Sequence, residues 1–133
     1  MIKLGIIGIG NIGSVHAKTV YSGIYTSTNT ISVRTLNRIG IDYSFEFATQ
    51  KLHLSTLVEE YVSPNGYISS DKALGPLALG AQTWGVTVRD MSCAFATFAN
   101  KGVYREGRTF TKVYDNEGNL VLDNEQTTEQ ILS

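Results

Sequence analysis

Apolar residues recur along this chain at different spacings, and the changes of spacing mark its elements. Lys3 to Gly8 reads Lys-Leu-Gly-Ile-Ile-Gly, a short apolar run ending in glycine that suits a strand buried on both faces. Gly8-Ile9-Gly10-Asn11-Ile12-Gly13 follows, and Ile12, Val15 and Thr19 then fall on one helix face, so the stretch predicts strand, glycine turn and helix. Ser, Thr, Gly and Asn dominate from Tyr21 to Asn29, which predicts a loop. Ile31, Val33, Leu36 and Ile39 precede Gly40, and Phe45–Leu54 and Leu57–Tyr61 give two more short helical candidates, broken by Ser63-Pro64-Asn65-Gly66. The clearest element runs from Thr87 to Asn100. Thr87 is a candidate N-cap with Asp90 three residues on, Met91, Ala94, Phe95 and Phe98 recur at helical spacing, and Gly102 supplies the stop. Beyond it Phe110, Lys112 and Tyr114 alternate with Thr111 and Val113, Asp115-Asn116-Glu117-Gly118 makes a turn, and Asn119–Leu122 returns, a hairpin pattern. Gln126 to Ser133 reads as a frayed tail.

At 133 residues the chain is long enough for one domain with a core of its own. Its 11 basic and 12 acidic side chains nearly cancel and the basic ones are scattered, so nucleic acid is not an expected partner. The longest apolar run, Leu4 to Ile9, falls far short of the ~20 residues of a membrane-spanning helix, and no basic segment with an apolar stretch and cleavage site opens the chain, so no export signal is expected. One cysteine, Cys93, and two histidines, His16 and His53, make neither an internal disulfide nor an ordinary zinc site, and no metal is expected.

In a dinucleotide fold the first glycine permits the tight turn, the second admits the pyrophosphate to the backbone and the third lets helix and strand pack closely. Here those are Gly8, Gly10 and Gly13. Together with His16-Ala17 the segment resembles the N-terminus of the Gfo/Idh/MocA family of NAD(P)-dependent oxidoreductases, over residues 1–24 only. The resemblance implies an NAD or NADP site; the other reading of the glycines is a tight strand-to-helix turn. The acid that should meet the ribose about 20 positions beyond the glycines is absent, Asp42 being the first acid in the chain. Arg34 or Arg38 could substitute as readers of a 2′-phosphate if Thr30–Val33 formed a second strand.

From Ser27 onward a different resemblance takes over. Ser27-Thr28-Asn29, followed by Ile31, Val33, Leu36 and Ile39-Gly40-Ile41, is similar to the SxN motif and following helix of the transpeptidase domain of class A penicillin-binding proteins. Leu77–Ala81, Gly85-Val86-Thr87, Met91, Ala94–Asn100 and Gly102–Arg105 continue the likeness in order. It implies acyl transfer by an activated serine, with Ser27 in the proton relay and Asn29 hydrogen-bonded to the backbone amide of a peptidoglycan peptide or of a β-lactam that mimics it. The family's proteins are extracytoplasmic and membrane-anchored. The bland alternative for Ser27 and Asn29 is ordinary loop and capping work.

The family's SxxK nucleophile, expected before SxN, and its KTG, expected after the hairpin, are both missing from these residues. Ser69-Ser70-Asp71-Lys72 spells SxxK in the wrong chain order, and Lys72 reads as a solvated loop charge. Asn100-Lys101-Gly102 reads as a helix end. His16 reads as a helix-face residue, His53 as a surface residue without a neighbouring Ser, Cys and acid grouping, Cys93 as a small structural residue, and Trp84 as packed in a core or cleft. The expectation is a mixed α/β fold in two parts: a strand-turn-helix segment over 1–24 and an incomplete transpeptidase-like domain over 25–133. Such a chain is a chimeric fragment of a peptidoglycan D,D-transpeptidase, catalytically incomplete and without cofactor. With the elements that cover the Thr87–Asn100 helix missing, Phe95 or Phe98 should be partly exposed, or buried only by self-association. The alternatives are an NAD(P)-binding module and a non-catalytic scaffold.

Overall fold

A computed structural model of the chain describes residues 21–23 and 25–132. The strand, glycine turn and helix expected over residues 3–20, with Gly8, Gly10, Gly13 and His16, lie outside the described residues.

The first full helix, α1, spans Asn29–Ile39 and buries Leu36. Gly40, at φ 99°, ends it by donating its N–H to the Leu36 carbonyl at 2.9 Å. Thr30–Val33 is therefore helical, and the second strand required for Arg34 or Arg38 to read a 2′-phosphate is not formed there. The chain continues at once into α2, Ile41–Glu46, and a π-helical turn, Phe47–Lys51, so the helix expected over Phe45–Leu54 begins and ends earlier.

Leu57–Tyr61 is not helical. The Val58 N–H donates to the Asp71 carboxylate at 3.0 Å and the Val58 carbonyl accepts from the Asp71 N–H at 2.9 Å, which takes both backbone groups that a helix would use. The chain instead forms β1, Tyr61–Val62, turns through Ser63–Tyr67, and returns antiparallel as β2, Ile68–Ser69. Helix α3, Leu74–Leu79, carries Pro76 in its first turn, where the missing N–H has no intrahelical partner to lose, and packs against α1.

Helix α4, Val88–Ala99, starts where the sequence places it: the Asp90 N–H donates to the Thr87 hydroxyl at 3.0 Å. The apolar positions picked out by spacing do not share one environment. Ala94 is buried with Thr97, whereas Met91 and Phe98 are partly exposed and Phe95 largely so, because β3 (Val103–Arg105) packs against α4 and the Phe95 side is left more open. The exposure of Phe95 and Phe98 is the one expected of a helix whose cover is missing. At the helix end the Gly102 N–H donates to the Thr97 carbonyl at 2.9 Å with Gly102 at φ 80°, as expected of the stop.

The expected hairpin forms from β4, Lys112–Tyr114, and β5, Leu120–Asp123. Every residue of both strands is exposed. The expected frayed tail is ordered instead: β6, Thr128–Gln130, pairs antiparallel with β3, placing Val103 opposite Gln130 and Arg105 opposite Thr128. Among the described residues the strands form three separate antiparallel pairs. The architecture is mixed helix and strand, with helices in the middle and strands toward the end.

Candidate functional site

Ser27 and Asn29 lie at the entry to α1. A single helical turn closes before them, with the Thr26 N–H on the Ser22 carbonyl at 2.9 Å and the Thr28 N–H on the Gly23 carbonyl at 2.8 Å. Ser27 is thrown into the left-handed region at φ 53°, Thr28 stands at the N-cap position of α1 without a side-chain capping bond, and its carbonyl accepts from the N–H of Ile31 at 3.0 Å. This turn is anchored by close packing, because a Cβ on Gly23 would lie 2.5 Å from Ile31 Cδ1. The hydroxyls of Thr26 and Thr28 bond to each other at 2.7 Å. The Ser27 hydroxyl and the Asn29 amide, both on exposed residues, make no hydrogen bond to another described residue. They stand two residues apart at the exposed entry to α1, and neither is held in a packed site.

The Ser69–Lys72 sequence is built differently. Asp71 is fully buried, and its carboxylate accepts from the N–H of Val58 at 3.0 Å, the N–H of Thr83 at 2.7 Å and the hydroxyl of Thr83 at 2.8 Å. Three loops are thereby tied to one side chain. The Ser69 hydroxyl lies 3.3 Å from Thr83 Oγ1, and the Ser70 hydroxyl accepts from the Lys72 N–H at 3.1 Å. Lys72 is not the solvated loop charge expected. Its ammonium donates to Glu59 at 2.7 Å, lies 3.0 Å from Asp42 and sits 6.0 Å from the centre of the Phe45 ring. Glu59 first and Asp42 second hold its pKa above the usual lysine range, and the ammonium ties the loop to both acids.

His53 is an exposed surface residue, as expected, but a second group of polar side chains corrects the reading of its surroundings. His53, Ser55, Asp90, Cys93, Tyr104 and Glu129 line one depression of about 330 Å³, so a Ser, a Cys and acids do lie near this histidine. Their bonds are internal. Ser55 Oγ donates to Asp90 at 2.7 Å, which holds that carboxyl below its ordinary range, and the Lys51 ammonium on Glu129 at 2.5 Å lowers that one. The His53 ring lies against buried Tyr104, centroids 4.6 Å apart, and 3.8 Å from Glu129, while the Cys93 thiol faces Gly107 and makes no hydrogen bond to His53 among the described residues. Burial pushes the Tyr104 phenol up. Cys93 is a half-buried free thiol; Trp84 is exposed, with Tyr61 at its edge, and not packed into a core. Among the described residues no three His, Cys, Asp or Glu side chains converge as metal ligands.

Sequence reasoning missed Asp71 and the partners of Lys72. Both act across loops, on residues at least a dozen positions away, and neither has a local spacing that could have announced them.

No protein-family model matches the chain. It is 33% identical over 121 residues to penicillin-binding protein 4 of Bacillus subtilis, taking in 91% of this chain and 17% of that protein. Identity is 29% over 115 residues to penicillin-binding protein 1F of B. subtilis and 25% over 114 residues to penicillin-binding protein 1A of Clostridium botulinum, in each case 86% of this chain. The chain spans between 12% and 17% of the length of these relatives. A match to penicillin-binding protein 1A of Clostridium acetobutylicum takes in 93% of this chain, too much to leave residues 1–24 wholly outside it. The turn bearing Ser27 and Asn29 and the capped helix α4 thus belong to a chain similar, over about nine-tenths of its length, to the penicillin-binding proteins.

Proposed function

We propose that these residues form part of a peptidoglycan D,D-transpeptidase domain, and that the 133-residue polypeptide taken by itself does not acylate. The similarity to penicillin-binding proteins over about nine-tenths of the chain supports the first part of this reading.

Acyl transfer needs a serine whose proton is taken by an adjacent base and donors that meet the oxyanion. In this reading Ser27 relays the proton and Asn29 hydrogen-bonds the backbone amide of the bound peptidoglycan peptide, or the corresponding amide of a β-lactam. Their exposure at the entry to α1 suits contact with an incoming chain. The nucleophile and its lysine are a separate matter: the residues that spell SxxK have a buried aspartate between the serines and the lysine, and that lysine is held by Glu59 and Asp42. Losing members of such a unit costs orders of magnitude in rate, because the members act together. No dinucleotide step belongs to this reading, since Thr30–Val33 lies within α1.

Intact-mass spectrometry after incubation with excess penicillin tests it. The expected spectrum is that of the unmodified polypeptide. A stoichiometric adduct on Ser69 would refute the assignment of Lys72, and one on Ser27 would refute the relay role.

A further inference from the structure

We propose that Asn65 is a site of self-modification, at which the turn Ser63–Tyr67 converts the asparagine through a cyclic imide into an aspartyl or isoaspartyl residue. Ser63-Pro64-Asn65-Gly66 interrupts the helical spacing of the sequence, and no other asparagine of the chain precedes a glycine. That neighbour matters because a glycine nitrogen is the one least screened by a side chain of its own. Asn65, Gly66 and Tyr67 are exposed, so water reaches the site.

The turn places the reacting atoms. Pro64 and Asn65 are its central residues, and the Gly66 N–H closes it on the Ser63 carbonyl at 2.9 Å. Asn65 Oδ1 accepts from the Tyr67 N–H at 3.3 Å, and the ring so formed includes the Gly66 nitrogen, which curls the side-chain carbonyl back along that peptide. The Ser63 hydroxyl, with one proton to give, lies between the same Oδ1 and the Tyr67 carbonyl, the latter at 2.9 Å. The Asn65 amide nitrogen donates to no described residue, so none of them retains it as a leaving group. One contact opposes the reaction, since the Gly66 N–H must swing off the Ser63 carbonyl before its nitrogen can attack. That bond lies on exposed backbone, where opening it to water costs about 1 kcal/mol.

Hydroxide takes the Gly66 N–H proton, the nitrogen bonds to Cγ of Asn65, and the carbonyl electron pair moves onto Oδ1. The Ser63 hydroxyl and the Tyr67 N–H bind that oxyanion more tightly than the neutral amide oxygen. Collapse expels Nδ2, which takes a proton from water and leaves as ammonia. Water then opens the imide: breaking the new nitrogen–Cγ bond gives the aspartyl product, and breaking the original peptide bond gives the isoaspartyl one. The net change is one water in and one ammonia out, and a neutral side chain becomes a carboxylate. In the isoaspartyl product the main chain gains a methylene between Ser63 and Tyr67. Their N–H-to-carbonyl bond, at 2.9 Å, closes the β1–β2 hairpin, so the pairing of Val62 with Ile68 loosens. The inference does not depend on the transpeptidase reading.

Intact-mass spectrometry and peptide mapping of the 133-residue chain, held folded in mildly alkaline and in mildly acidic buffer, test it. The expected result is a gain of about 1 Da that maps to Asn65 and proceeds faster in the alkaline buffer. Asn65→Gln, whose longer side chain would have to close a six-membered ring, stays unmodified at that position. Ser63→Ala slows the gain by about tenfold, the worth of one hydrogen bond to a developing charge, and Ser63→Thr, which keeps the hydroxyl, restores it. No gain at Asn65 in the folded chain, a gain confined to other asparagines, or equal rates in Ser63→Ala and the unsubstituted chain would overturn the proposal.

Discussion

Replacing Gly102 by alanine should detach the last strand from the body of the chain. Gly102 stands at φ 80°, a conformation that costs a residue with a Cβ about 1–2 kcal/mol. Strain is the smaller part of the effect. A Cβ here would lie 2.7 Å from Leu132 Cβ and closer still to the Leu132 carbonyl oxygen, and a backbone atom cannot rotate out of the way. The Gly102 carbonyl also accepts from the N–H groups of Ile131 at 2.9 Å and Leu132 at 3.1 Å, so relieving the clash means surrendering both bonds, at about 1 kcal/mol each. The total, about 3–4 kcal/mol, is the ceiling; if β6 peels away and leaves the rest standing, the loss in global stability is smaller and appears as local opening. Urea denaturation gives the first quantity, and hydrogen exchange at Ile131 and Leu132 the second. Gly118→Ala is the control: Gly118 is at φ 86° with nothing within 4 Å of the added Cβ, so it reports strain alone. Equal urea midpoints and equal exchange at Ile131 and Leu132 in the two variants would refute the argument that Leu132 packs on Gly102.

Asp71→Ala removes the acceptor of three hydrogen bonds at a fully buried position and should lower stability by about 3 kcal/mol, read by urea denaturation; Asp71→Asn, which keeps one oxygen but sets an amide N–H against a backbone N–H, should fall between. Equal stability of all three proteins would mean that the loops at Val58, Asp71 and Thr83 are not tied through this carboxylate. Asp90, Asp115 and Glu129 are each depressed in the folded chain, by Ser55, Asn119 and Lys51 respectively, so their contribution is present above the ordinary carboxylate range and lost as pH falls through the lower folded values. The urea midpoint should therefore decline below about pH 5, and Glu129→Gln should flatten that decline. Lys72 runs the other way: its stabilisation is complete below its ordinary pKa and lost as pH climbs through the raised folded value.

The elements that the sequence made legible are those fixed within a few residues of themselves. Thr87 capping α4, Gly102 ending it and Asp115–Asn119 turning the hairpin all depend on bonds spanning two to five positions. Where the partner is distant, the local pattern misleads. Leu57–Tyr61 has helical spacing, but Asp71 takes the backbone of Val58; Gln126–Leu132 has no strand pattern of its own, but β3 supplies the ladder that orders it. Spacing found the apolar positions of α4 and grouped them together, yet Ala94 belongs to the covered side and Met91, Phe95 and Phe98 to the open one. It was the count of missing elements that announced the exposed phenylalanines. Ser27 and Asn29 were legible only through resemblance, since a serine and an asparagine on an exposed turn carry no physical signal of their own.

Ser69–Lys72 shows why a spelled motif and a catalytic geometry are different things. In a catalytic SxxK pair the lysine must reach back over the serine and spend part of its time unprotonated. Here Ser69 ends a two-residue strand, and the backbone between it and Lys72 is pinned by a buried aspartate. The lysine extends away to Glu59 and Asp42, whose charges stabilise its protonated form. Together these contacts use the same four residues to join α2, the Val58 loop and the Thr83 loop. The four residues therefore act as a structural joint in this chain.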